Sequence, residues 1–499
     1  MTPSRPLDRA TLDAVLAKGV LWTGGLRLTG QLITWLSTLV AARLLTPEDY
    51  GIVGMATIVL GLVTLLSEFG LGLTVVTLRH LTPAQIAQLN LTSALLGLAA
   101  FAAGTAAAVP LAKFFSAPAL PGVVIALSAA FVIASLRTVP VALLERDLRF
   151  GAVAVVEAAQ AFALASCTVG LALLGLGYWA LVGGRLAGTA VATCLALLAR
   201  PCSFAWPRSE GLGHVMNFSR HVLVSRLAWY CYSSADSLSI GRVLGQAALG
   251  SYSLALSIAN IPVEKVTMLV ARVTPAVFAA AAEADCQGLQ RYLLGLTRTI
   301  ALVTFPLSAL VALLADDLVL VALGARWETA VAPLRLLAIY ASFRSIAPLV
   351  PQILNVVGES RFGMWNGLVA MAVLVPAFYA ATAWGPAGVA AAWMIVHPLV
   401  SLPLYWRLFR RLELPARRYS HALAPALSGC VLLAVAVLAL HRLLSSDLHP
   451  ALRLIVELTA GSTLYLAAVA VLFRAALHTV FTATRRALTT LVAPDCARG

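Results

Sequence analysis

Two arginines carry the first chemical hint in this sequence. Arg27 opens the stretch RLTGQLITWLSTLVAARLLTPEDYGIVGMA, which ends at Ala56. Arg226 opens RLAWYCYSSADSLSIGRVLGQAALGSYSLA, which ends at Ala255. Sliding the first along by 199 positions superimposes Arg27 on Arg226, Arg43 on Arg242, Leu45 on Leu244, Gly51 on Gly250 and Ala56 on Ala255 without a gap. Arg27 and Arg226 fall inside apolar runs, where an ionised group costs a few kcal/mol or more and demands a partner or a water-filled cavity. Two guanidiniums at matching depth in two copies of one unit can hold a diphosphate by charge-assisted, bidentate hydrogen bonds. Each can instead pair with a nearby carboxylate or carbonyl, or snorkel to the interface.

Other charges lie within or beside apolar runs. Asp236 and the adjacent Glu264 and Lys265 fit either an ion-coupling group or a fixed cluster that ties helices together; an ion-coupled carrier needs a carboxylate that is neutral in one state and ionised in another. Glu68, in SEFGLG, falls near a membrane surface and suits an interfacial role. Glu157, Arg185, Arg335 and Arg344 are further intramembrane candidates. No Ser/His/Asp set, paired carboxylates or metal-ligand spacing stands out, so no enzyme activity, metal or bound cofactor is expected. GLGLG at Gly70 lacks the strand–turn–helix setting of a nucleotide site.

The elements that position these groups follow from composition. In 499 residues, 61% are hydrophobic and only 11% charged, which excludes a soluble globular protein. Apolar runs of about 20 residues, enough to cross ~30 Å of hydrocarbon, follow one another with short polar breaks. The expected fold is an all-α polytopic membrane protein with about fourteen spans. They run over 17–44, 50–78, 85–110, 120–143, 150–174, 178–200, 215–243, 249–280, 292–323, 330–357, 363–383, 387–409, 421–443 and 451–474, with a kink expected at Pro306.

The repeat reaches further along the chain. PVALLERDLRF ends after the fourth span and PQILNVVGESRF after the tenth, each with a Pro ahead of an Arg-Phe pair (Pro140 and Arg149-Phe150; Pro351 and Arg361-Phe362). Two pseudo-symmetric six-helix lobes, 18–200 and 215–410, are therefore expected, with a central cavity between them. They are joined by a linker at 201–214. A basic linker at 411–420, two extra C-terminal helices within 421–474, a cytoplasmic segment at 1–17 and a tail at 475–499 complete the chain. Arginines such as Arg407, Arg410, Arg411, Arg417 and Arg418 fall on one side of this path, so both termini are expected to be cytoplasmic. The net charge of +14 is thus a topology signal and not a nucleic-acid footprint. Cysteines such as Cys167, Cys194, Cys231 and Cys430 are scattered singly, and reduced, buried thiols are expected.

ARLLTPEDYGIVGMA at Ala42, EFGLGLTVV at Glu68, LRTVPVALLERDLRF at Leu136 and ADSLSIGRVLGQAALGSYSLALSIANIPV at Ala235 resemble the polysaccharide transporter family, the oligosaccharide-lipid flippases of the multidrug/oligosaccharidyl-lipid/polysaccharide exporter superfamily. The likeness runs from about residue 18 to beyond 410. It implies an alternating-access carrier of the bacterial inner membrane that moves undecaprenyl-diphosphate-linked oligosaccharide from the cytoplasmic to the periplasmic leaflet. The unit would then build exopolysaccharide, capsule or O-antigen, with a polymerase and ligase or export machinery as partners and a proton or sodium gradient as the driving force. Asp236 and Gly241-Arg242 occupy the family's Asp and Gly-Arg positions. The alternatives are a multidrug or organic-cation antiporter of the same superfamily, a peptidoglycan-precursor flippase, and a membrane-embedded glycan polymerase or ligase. The intramembrane arginines argue against the first, and the absence of a long periplasmic loop argues against the last.

Overall fold

The computed structural model describes residues 9–67, 72, 75, 76, 81–206, 230–284, 286–444 and 449–472. For 9–24, 27, 28, 65–67, 262, 264–273, 275–277, 279–284, 286 and 472 it describes the backbone alone. Among the described residues there are helices and turns but no strand. That is how a chain satisfies its own backbone N–H and C=O groups in hydrocarbon without closing a barrel. Nine helical stretches among these residues are long and apolar enough to cross a membrane. The protein has an all-α, polytopic membrane fold.

The chain divides into two compact units, Met1–Gly250 and Ser251–Gly499. The first holds α1 (Arg9–Leu44), α2 (Pro47–Ser67), α3 (Pro83–Phe115), α4 (Leu120–Arg146), α5 (Phe150–Leu173), α6 (Trp179–Ala199), α7 (Ala235–Val243) and the start of α8 (Gly245–Ala284). The second holds the rest of α8, then α9 (Cys286–Leu313), α10 (Ala315–Leu318), a π turn (Val319–Leu323), a 3-10 turn (Ala325–Ala330), α11 (Val331–Ile346) and α12 (Leu349–Val356). It continues with α13 (Ser360–Ala381), α14 (Gly385–Arg411), α15 (Ala416–Leu443) and α16 (Pro450–Leu472). Helices α3 to α6 and α13 to α16 match the apolar runs to within a few residues.

Local chemistry sets the ends. Thr82 starts α3 with a capping box: its hydroxyl accepts from the Gln85 backbone N–H, and Gln85 Oε1 accepts from the Thr82 N–H at 2.8 Å. In the first unit α5 packs against α1 and α6, and α4 against α2, α3 and α6. Small residues permit the approach: Gly97 and Gly104 of α3 face Ser135 and Ser128 of α4, and Gly184 of α6 faces Thr168 of α5.

The repeat read from the sequence reappears as a reciprocal contact. A Cβ added at Gly51 would strike the backbone carbonyl of Gln246, and one added at Gly250 would strike that of Pro47. Gln246 is the repeat equivalent of Pro47, so the two copies touch through the same pair of positions. This is the signature of a local pseudo-twofold axis.

Pro306 does not break its helix. Helix α9 runs through it to Leu313, and the interruption comes at Leu314, ahead of α10 and of Gly324 with φ 99°. Proline has no N–H to offer the carbonyl four residues back, Leu302. The Tyr465 hydroxyl of α16 donates to that carbonyl at 2.8 Å. Tyr465 thereby docks the last helix onto α9, while Gly461 closes on Leu310 and Val437. One departure from expectation concerns the thiols. Cys194 and Cys231 are exposed and not buried, because an apolar run in a membrane helix has a lipid-facing side as well as a core-facing one.

Candidate functional site

Within the spans of the first unit, α4, α5 and α6 bring charged and amide groups together. Arg137 Nη1 donates to Gln160 Oε1 at 2.6 Å, and Arg185 and Glu157 lie within electrostatic range of the same guanidinium. By rise along their helices, Arg137 sits ~13 Å before the end of α4, while Glu157 and Gln160 sit ~10 and ~15 Å into α5. That is a third to half of the hydrocarbon thickness. The Arg185 and Glu157 side chains are exposed and Arg137 is half-buried. Exposed charge at such depth belongs beside water and not acyl chains. The cluster carries two guanidiniums against one carboxylate, so an anionic group is its natural guest.

The expected site residues fall variously. Arg27 lies in α1 one turn before Gly30, whose Cα faces Ala158 and Ala161 of α5 at 3.6 and 3.5 Å from the added Cβ position. Its backbone is therefore level with Glu157 and Gln160, and its side chain lies outside the described residues. Arg226 and Glu68 also lie outside them. Glu264 and Lys265 sit in α8, described by their backbone alone. Asp236 is buried in the first turn of α7, where one carboxylate oxygen accepts the Ser237 N–H at 2.5 Å. Arg242 closes the C-terminal end of α3, with Nη1 3.5 Å from Ser116 Oγ and its guanidinium 5.4 Å from the Phe114 ring centroid. A cation there complements the helix dipole.

The second unit has its own arginine–amide pair. Arg344 Nη1 of α11 donates to Asn260 Oδ1 of α8 at 3.0 Å. Beside it, Tyr340 Oη is 3.2 Å from His397 Nδ1 and stacks on Trp393 at 5.3 Å. Arg137, Gln160, Asn260 and His397 were not singled out from the sequence. Arg137 lay in plain view inside the 120–143 span, and listing every charge within a span finds it. The neutral partners leave no such mark. Separate from both clusters, a groove of about 450 Å³ between α15 and α16 is lined by Ala436, Leu440, Ala460, Gly461 and Leu464 and holds no charge.

A family model described as "Polysaccharide biosynthesis protein" matches residues 40–332, more than half of the chain. The chain belongs to this polysaccharide biosynthesis family. Among curated relatives it is 22% identical over 399 residues to an uncharacterized membrane protein in the cps region of Klebsiella pneumoniae, covering 79% of this chain and 82% of that one. It is 22% identical to the lipopolysaccharide biosynthesis protein WzxC of Escherichia coli K12, covering 62% and 63%. It is 27% identical to the teichuronic acid biosynthesis protein TuaB of Bacillus subtilis 168, covering 52% and 53%. Its fold is similar to the lipid II flippase MurJ in an inward closed conformation, with a TM-score of 0.72, 11% identity and coverage of 92% of this chain and all of that one. An inward-facing multidrug MATE transporter matches at a TM-score of 0.58 and 16% identity, covering 76% and 95%. With its apolar helices and a relative named as a membrane protein, this chain is a multi-pass membrane protein.

Proposed function

We propose that this chain is a flippase for a lipid-linked oligosaccharide. It takes an undecaprenyl-diphosphate-linked repeat unit from the cytoplasmic to the periplasmic leaflet of a bacterial inner membrane, with both termini in the cytoplasm. The step is an alternating-access one driven by a proton or sodium gradient, and the product passes to a polymerase, ligase or export machinery. The observation that carries this reading is the guanidinium cluster of half-buried Arg137 and exposed Arg185 inside the spans. A glycan joined to a polyprenol through a diphosphate must expose that anion to hydrocarbon unless a cationic lining receives it. Relatives named for lipopolysaccharide and teichuronic acid synthesis favour this cargo over the organic cations of an antiporter. Arg27 and Arg226 are proposed as further diphosphate ligands in the same lining.

The test is reconstituted transport. Undecaprenyl-diphosphate oligosaccharide is placed in one leaflet of a proteoliposome, and its arrival in the other is followed with and without an ion gradient. Hydrogen bonds to charged groups are worth ~1.5–3 kcal/mol, so Arg137→Ala with Arg185→Ala should slow transfer ~10- to 100-fold without loss of membrane insertion. Full transfer by the double variant, or expulsion of small organic cations in place of lipid transfer, would overturn the reading.

A further inference from the structure

Glu457 lies in the second turn of α16 and is fully buried. Its Oε1 is 2.9 Å from Nδ1 of His441, near the end of α15, and its Oε2 is buried without a hydrogen-bond partner. One turn earlier on α16, Arg453 forks onto Asp317 of α10: Nε is 3.0 Å from Oδ2, and Nη2 bonds Oδ1. Among the described residues, the surrounding elements carry further charged groups. Asp316 of α10 pairs with Arg335 of α11. Arg442 follows His441 on α15, and His449 precedes α16. Arg291 and Arg298 lie in the first half of α9, and the π turn has no charge.

Charge shows what the cluster wants. Two buried carboxylates, Asp317 and Glu457, meet one permanent cation, and both nitrogens of its fork are committed to Asp317. Asp317, His441 and Glu457 each bring a ligand atom within 4.8 Å of the others, a spacing open to a divalent metal. Arg453 argues against one, because it holds both Asp317 oxygens. Two uncommitted ligands are too few for a closed metal site. What is missing is a single positive charge on the His441–Glu457 pair, since a buried carboxylate without compensation is costly.

We propose that His441 and Glu457 form a proton-binding site where α15 and α16 meet α10. His441 is 49% exposed and Glu457 not at all, so the imidazole is the port. With Nδ1–H turned to Glu457, the Nε2 lone pair of neutral His441 accepts a proton from water. The charge then stays on the imidazolium, or the Nδ1 proton passes to Glu457 and leaves a neutral imidazole beside a carboxylic acid. Either way one proton is gained and no other bond is made or broken. Because the pair and its neighbour Arg453–Asp317 clamp the last two helices to α10, proton occupancy is linked to that docking. The site does not depend on what the protein carries.

The experiment is thermal unfolding of the full chain in nanodiscs across the range in which histidine titrates, for the wild type, E457Q and H441Q. Uptake of the proposed proton by the folded pair would link stability to pH, with a wild-type Tm that rises by several degrees as pH falls through that range. E457Q keeps the hydrogen bond without the charge and should show a flat profile. H441Q, at a half-exposed position, should be flat as well and lie lower. Infrared difference spectra of the wild type report which atom holds the proton. Equal pH dependence in wild type and both variants would overturn the proposal. So would saturable stabilisation of chelator-treated protein by Zn²⁺ that E457Q abolishes, which assigns the site to a metal.

Discussion

The turn between α4 and α5 and the turn between α12 and α13 are the same device at two settings. Each ends in an Arg-Phe pair, and two positions before each arginine stands a carboxylate, Asp147 or Glu359. Each carboxylate is met by arginine at the C-terminal end of a later helix, α6 or α14. Asp147 lies 3.5 Å from Arg200 Nη2 and 4.0 Å from Arg146 Nε, with the Arg200 and Asp147 side chains 44% and 35% exposed. Glu359 Oε1, on a side chain 11% exposed, accepts from Arg407 Nη2 at 2.8 Å and from Arg411 Nε at 2.5 Å. An exposed ion pair in this position is worth ~0–1 kcal/mol. A shielded carboxylate gripped by two guanidiniums holds the α12–α13 turn to the end of α14 far more firmly. Repetition thus preserved the placement of the link and not its strength. The arginine–amide pairs teach the same: Arg137 meets its amide half-buried and beside other charges, and Arg344 meets its own beside stacked aromatic rings.

The contact where the two copies are equal should give the largest effect. Gly51→Ala and Gly250→Ala each drive a methyl into a backbone carbonyl that cannot rotate away. Overpacking of this kind costs ~1–3 kcal/mol or more. Because the contact is reciprocal, the two losses of thermal stability should match, and a large loss at one site with none at the other would break the symmetry argument.

The two latches should differ. Hydrogen bonds from Arg407 and then Arg411 hold the Glu359 carboxyl below its ordinary value. A carboxyl with a lowered folded pKa contributes stability that is fully present above the ordinary glutamate value. It is lost as pH falls through the folded one. Glu359→Ala should therefore lower Tm at neutral pH and shrink its acid-side decline, whereas Asp147→Ala should change Tm by less. Thermal melts from neutral to acidic pH decide it, and equal losses would show that the shielding and shorter contacts of Glu359 add nothing.

The smallest effect concerns a feature of the second unit, the docked pair α15–α16. Tyr465→Phe should cost ~1 kcal/mol, a typical net hydrogen bond. In a Pro306→Ala background the cost should shrink, because the alanine N–H returns to the Leu302 carbonyl. A double-mutant cycle in Tm reads that coupling, and additive losses would mean that the freed carbonyl is not what Tyr465 serves.

Much of the helix layout was legible in the sequence, and for a physical reason. Hydrocarbon offers no hydrogen bonds, so each apolar run must close its own backbone and becomes a helix of membrane-crossing length. The runs at 120–143 and 150–174 accordingly became α4 and α5 almost residue for residue. The register of the repeat was legible too, since Gly51 and Gly250 are glycines for one shared reason. The candidate site was legible only in part. Arg185, Glu157 and Arg344 announce themselves as charges in apolar runs, but Gln160 and Asn260 matter only through the arginines that reach them.

The sequence by itself therefore determined which residues enter the membrane, where the chain turns, and that it was built twice. It did so because burial in hydrocarbon and backbone self-satisfaction are local demands. Which charges meet was decided by tertiary structure alone. Arg453 finds Asp317 across 136 positions, Glu457 is sealed between helices with half its carboxylate unmet, and Tyr465 repairs the carbonyl that Pro306 orphans. Those outcomes depend on how each helix is rotated against its neighbours, and side-chain packing sets that rotation where hydropathy is the same on every face.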